Sequence, residues 1–185
     1  MRLVGLSGSL RAASYNSALL RAAQGMTPPG VELIEASIRG IPLYDGDVER
    51  DEGLPEVVVR LKDLIADCDG LLLFTPEYNN SIPGVFKNAI DWLSRPASDI
   101  ERVFGGRPTA VLGASPGAFG TMMSQAAWLP VLRTLGAAPW FGARLLVPHA
   151  QSAFDGDGRL VDEAIRRRLE SFITGFAAHC RTVER

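Results

Sequence analysis

Short apolar runs alternate with segments of helical period along the whole chain. RLVGL (2–6) reads as a first strand, and SALLRAAQGM (17–26) as a helix whose apolar positions are Ala18, Leu19, Ala22 and Ala23. VELIEA (31–36) is a second strand. Residues 38–55 are rich in Gly, Pro and charge and read as a long loop before a helix over 56–67. GLLLFT (70–75) is continuously apolar, the pattern of a central parallel strand buried on both faces. Pro83 suits the first turn of a helix that sets Val85, Phe86, Ala89, Ile90 and Leu93 on one face. PTAVLGA (108–114) is a fourth strand, followed by a helical segment through Leu135 that Pro130 is expected to break. ARLLVP (143–148) is a fifth strand, and 160–179 closes the chain as an amphipathic helix.

Strands that alternate with helices require right-handed crossovers and a parallel sheet covered on both faces. The expectation is one α/β domain over residues 1–185, three layers deep, with its site on the loops leaving strands one, three and four.

The first of those loops carries Ser7, Gly8, Ser9, Arg11, Ser14, Asn16 and Ser17 into a helix. Unpaired N–H groups and partial positive charge at a helix N-terminus accommodate an anion. Gly8 lets the backbone come close to a ligand, the hydroxyls and amide donate, and Arg11 adds a forked full charge. A terminal phosphomonoester suits this set; a solvated, serine-capped loop is the plain alternative. The second loop, Thr75 to Gly84, combines two stiffening prolines with Tyr78, Asn79 and Asn80, an aromatic face beside amides that suits a flat heterocycle. A helix cap explains Ser81 and Pro83 but not the rest.

GSLRAASYN in the first loop and PEYNNSIPGVFKNAIDW in the second resemble the NADPH-dependent FMN reductase family, whose members include flavin, quinone, chromate and azo-dye reductases. The resemblance runs from Gly5 to about Gly136. It implies a flavodoxin-like fold with a five-stranded parallel sheet in the order 2-1-3-4-5. It implies that Ser9, Arg11, Ser14, Asn16 and Ser17 surround the FMN phosphate, and that Pro76, Glu77, Tyr78 and Asn79 line the isoalloxazine. The segment from Ser115 through Gly117 to Thr121 stands where the family has a glycine-rich flank to the flavin's other edge; Phe119 replaces a glycine common there. The activity implied is FMN-dependent reduction of quinones, flavins, azo compounds or chromate by NADPH or NADH, in ping-pong fashion and without a protein nucleophile or a metal. Backbone donors near Asn79 and Gly117 are expected to face negative charge on the reduced ring. A flavodoxin-type electron carrier is the competing reading. Carriers of that type are strongly acidic and lack an arginine in the phosphate loop, whereas this chain has Arg11 and a formal charge of −2.

The same modest charge argues against nucleic-acid binding, and no apolar run is long enough to span a bilayer. The opening segment reads as a strand rather than a signal peptide, and two cysteines without CxxC spacing fit a cytoplasmic protein with reduced thiols. Cys68 is expected to be structural and Cys180 an exposed thiol. Met122, Met123, Trp128 and Leu129 are more apolar than one buried helix face requires, and relatives pair through this region, so a homodimer or homotetramer is expected. Gly113-Ala114-Ser115-Pro116-Gly117 matches the hydrolase elbow, with Asp155 or Asp157 and His179 following. Pro116 cannot donate the N–H that elbow needs in its oxyanion hole, a loss of about 2.7–4 kcal/mol in the transition state. A calcium loop at 155–163 fails because Arg159 stands at a ligand position, and His149 and His179 are too far apart in sequence to indicate a metal.

Overall fold

In a computed structural model that describes residues 1–183, parallel strands form a central sheet with helices on both faces. The elements are β1 (Arg2–Ser7), α1 (Tyr15–Gln24), β2 (Glu32–Ala36), α2 (Gly46–Glu52), α3 (Glu56–Ala66), β3 (Gly70–Phe74) and α4 (Gly84–Leu93). A 3₁₀ turn at Ala97–Asp99 then leads to α5 (Ile100–Phe104), β4 (Pro108–Ala114), α6 (Met122–Thr134), β5 (Ala138–Pro139), β6 (Leu146–Val147), α7 (Ala150–Ala153) and α8 (Glu163–Cys180). The sheet order is β2-β1-β3-β4-β5, as the resemblance implied, with β6 also pairing with β4.

Strand alternation divides the core. Leu3, Leu72, Phe74 and Leu112 turn toward α1 and α8, where Leu19, Leu20, Phe172 and Phe176 bury them. Val4, Leu6, Leu71 and Leu73 turn the other way, onto Val58, Phe86, Ile90, Trp92 and Trp128. Every residue of β3 is buried, so an uninterrupted apolar run is what this position needs.

Three elements differ from the sequence expectation. The fifth strand position is shared: β5 pairs with Pro108 and Thr109, whereas β6, inside the expected 143–148 run, pairs with Gly113 and Ala114. Residues 141–144 between them are exposed, while Trp140 packs on Phe172 and Phe176 and Leu145 is buried. The helix after β4 is continuous through Pro130, because that proline lies on the exposed side. The one carbonyl it leaves without its helical partner, that of Ala126, is on the same exposed side. The charged stretch read as a loop contains α2, capped by the Asp45 carboxylate accepting from the Asp47 N–H at 2.8 Å.

Cys180 is buried, not exposed as expected, because it closes the inner face of α8. Trp128 is fully buried and donates its indole N–H to the Thr75 hydroxyl at 3.1 Å. It belongs to the core of this chain, and the interface role expected for it is withdrawn. None of the helices among the described residues is long and apolar enough to cross a membrane.

Candidate functional site

The loops after β1, β3 and β4 meet at the carboxyl end of the sheet, around a cleft. Its walls are Ser9, Arg11, Ser14, Tyr15 and Asn16 from the first loop, Pro76, Glu77 and Tyr78 from the second, and Ala114, Ser115 and Pro116 from the third. Ser17, Asn79 and Gly117, the other expected site residues, adjoin these segments without forming the walls.

In the first loop Ser14 caps α1: its hydroxyl oxygen accepts from the Ser17 N–H at 3.2 Å, leaving the Ser14 O–H free to donate. The Ser9 hydroxyl likewise accepts from the Arg11 N–H at 3.3 Å and keeps its own proton. Among the described residues the N–H groups of Tyr15 and Asn16 have no protein acceptor, so the helix entrance presents both. Arg11 is exposed and makes no ion pair among the described residues. The Asn16 side chain has another task. It is buried, donates to the Ala114 carbonyl and accepts the Ala114 N–H, both at 2.9 Å, and so bolts α1 to the end of β4. Ser17 donates its hydroxyl to Ser7 at 2.9 Å and supports the loop from behind. Gly8 also serves packing: a Cβ there would overlap the Phe86 ring of α4, so glycine lets the loop lie against that helix.

The second loop is braced at several points. Tyr78 and Ser81 exchange backbone hydrogen bonds at 3.2 and 3.0 Å around Asn79 and Asn80, both with positive φ (51° and 59°). Asparagine tolerates that conformation better than other residues with side chains, which explains the pair at the tip. The Glu77 carboxylate accepts from the N–H groups of Met123 and Ser124 at 2.8 and 3.0 Å, capping the first turn of α6 from outside. Beneath it the hydroxyls of Thr75 and Ser124 meet at 2.8 Å, with Trp128 bonded to Thr75. Tyr78 is left half exposed, its ring a flat wall of the cleft.

In the third loop the Gly117 N–H is taken up by the Ser115 hydroxyl at 3.0 Å, and the Gly117 carbonyl accepts from the His149 N–H at 3.2 Å. The Gly117 N–H is therefore engaged within its own loop. Phe119 is largely exposed and projects away from the loop's own packing. Among residues the sequence did not single out, Tyr15 lines the cleft and stacks on Phe154 at 5.7 Å between centroids.

A donor-rich helix entrance beside an aromatic wall, at the switch point of a doubly wound sheet, defines a binding protein for a phosphorylated planar heterocycle. The chain belongs to the NADPH-dependent FMN reductase family, whose model matches residues 1–152. It is 46% identical over 170 residues to the NAD(P)H-dependent FMN reductase of Pseudomonas aeruginosa, covering 92% of this chain and 90% of that protein. It is 39% identical to a 2-hydroxy-1,4-benzoquinone reductase of a Burkholderia species, covering 98% and 97%. Among solved structures it is similar to FerB, a flavoenzyme NAD(P)H:(acceptor) oxidoreductase from Paracoccus denitrificans. That likeness has a TM-score of 0.85 and 34% identity and covers 97% of each chain.

Proposed function

We propose that the chain holds FMN across its three loops and transfers reducing equivalents from NADPH or NADH to small acceptors, quinones above all. The observation that carries this reading is the cleft in which unpaired donors and a planar aromatic wall converge. The residues fit the cofactor. FMN has a phosphomonoester on a flexible chain and a flat ring system, and the cleft offers a cationic helix entrance and a stiff, flat-sided loop. Bound FMN supplies reversible two-electron chemistry that no side chain here provides.

The chain binds and orients. Arg11, the hydroxyls of Ser9 and Ser14, and the N–H groups of Tyr15 and Asn16 hold the phosphate, with Ser17 behind them. Pro76 and Tyr78, with Asn79 beside them, would border the ring, and Ser115, bonded to the Gly117 N–H, would close the far edge. Glu77 keeps the border fixed to α6. On this reading the bound ring would have one face open beside Tyr78, and nicotinamide and acceptor would occupy that place in turn. Steady-state rates with NADPH and a benzoquinone test this. Parallel double-reciprocal lines are expected, with NADP⁺ competing against the quinone; intersecting lines would show two places.

The same reading puts the protein in the cytoplasm, where reduced nicotinamides are supplied and the thiols of Cys68 and Cys180 stay reduced. We also propose that the chain assembles as a homodimer or homotetramer through the outer face of α6. That helix buries Ser124 and Gln125 along with Trp128 and Leu132, while Met123 and Leu129, with nearby Phe141, are exposed. A second copy covering this apolar face would remove it from water. Leu129→Glu should turn dimers into monomers in sedimentation without loss of fold. A wild-type protein that stays monomeric at high concentration would overturn the assembly.

A further inference from the structure

We propose that Arg39 is a second cationic residue of the phosphate site, a positioning residue that clamps the first loop through the Leu10 carbonyl. The proposal rests on the reading of that loop as the FMN phosphate site.

β2 runs beside β1 in parallel register, with Ala36 opposite Leu6, so the segments leaving the two strands emerge together. After β2 the Arg39 N–H donates to the Ser37 hydroxyl at 3.1 Å, turning the chain back toward the first loop. The Arg39 guanidinium then donates through Nη2 to the Leu10 carbonyl at 2.6 Å. Residues 9–13 have little else to hold them. The Arg11 N–H bond to Ser9 is internal to the loop. Among the described residues, the Arg39 bond is the one hydrogen bond that reaches 9–13 from outside.

The charge of Arg39 is available for this role. Arg50, Arg60, Arg95 and Arg102 each pair with a carboxylate of this chain. Arg39 and Arg11 have no carboxylate at ion-pair distance among the described residues. A phosphomonoester carries roughly 1.5 to 2 negative charges near neutral pH. Arg11 would balance one of them, and Arg39, bonded to the residue before it, would help to balance the other. Arg39 lies in a charged loop whose local pattern gives no hint of a ligand; its partner is 29 positions away.

Two substitutions separate clamp from charge. Arg39→Gln retains a donor for Leu10 without charge, and Arg39→Lys retains charge without the planar fork. In titrations of the flavin-free full chain, Arg39→Ala should raise the Kd for FMN by about three- to tenfold and leave riboflavin within about twofold. Arg39→Gln, which keeps the clamp, should lose less FMN affinity than alanine, and Arg39→Lys, which keeps the charge, should recover most of it. Added salt should weaken FMN binding to wild type more than to Arg39→Ala or Arg39→Gln. Equal losses for FMN and riboflavin, or unchanged FMN affinity in Arg39→Ala beside tight binding by wild type, would overturn the role of Arg39 alone. A wild type that binds FMN no better than riboflavin would overturn the reading of the phosphate site itself.

Discussion

The first and second loops leave adjacent strands and face one cleft, yet they are built in opposite ways. Residues 9–13 are mostly exposed, carry free donors and a full charge, and are held from outside by one hydrogen bond. Residues 75–81 are tied to α6 by a two-pronged carboxylate cap and a buried hydroxyl–indole chain, and to themselves by a turn. The difference matches two recognition problems. A phosphate is bound by charge and donors, which tolerate small displacements. A flat ring is bound by shape, which does not, so its wall must be rigid before the ligand arrives.

Breaking the brace should cost most. Trp128→Ala removes a fully buried ring and the donor to Thr75, and should lower unfolding free energy by about 3–5 kcal/mol in urea titrations. A loss below about 1 kcal/mol would mean that the second loop is not anchored through α6. Arg11→Ala tests the other loop. Losing a charge-assisted hydrogen bond, worth about 1.5–3 kcal/mol, should weaken FMN by one to two powers of ten and barely affect riboflavin.

Glu77→Ala sharpens the contrast. It deletes an anionic cap on α6, so about 1–2 kcal/mol of stability should go, and FMN and riboflavin should weaken equally because the ring wall is what loosens. Selective loss of FMN would move Glu77 to the phosphate end. The smallest effect lies outside the site. The hydrogen bond from Arg95 holds the Glu49 carboxyl below its ordinary value, with Tyr44 adding a second bond. A lowered folded-state value contributes stability above the ordinary carboxylate range and loses it as pH falls through the lowered value. Wild type should therefore lose slightly more melting temperature than Glu49→Gln on acidification, with no change in relative flavin affinities.

The layers and the three site loops were legible because apolar periodicity reports burial, as in the uninterrupted run of β3, whereas the strand order followed from the family resemblance and not from periodicity. α6 misled because its buried face is mixed: Ser124 and Gln125 go inside beside Trp128 and Leu132, satisfied by Thr75, Thr121 and the Leu145 carbonyl, and Met123 and Leu129 stay out. Polar residues buried through distant partners leave no local signature. The same holds within the site. Arg11, Ser9 and Ser14 announced themselves by residue type and place, whereas the bracing roles of Asn16 and Glu77 depend on Ala114 and Met123, 98 and 46 positions away. The split fifth strand was hidden because β5 is two residues long and includes a proline.

The reductase reading is tested most directly by mixing the FMN-loaded protein with stoichiometric NADPH, without oxygen or acceptor, and following the flavin absorption band. Rapid, complete bleaching in a single turnover, followed by recovery of the band on adding a quinone, is the expected result. A protein that keeps its FMN yet is bleached by neither NADPH nor NADH, but is reduced quickly by a separate reductase, would be an electron carrier and would contradict the account.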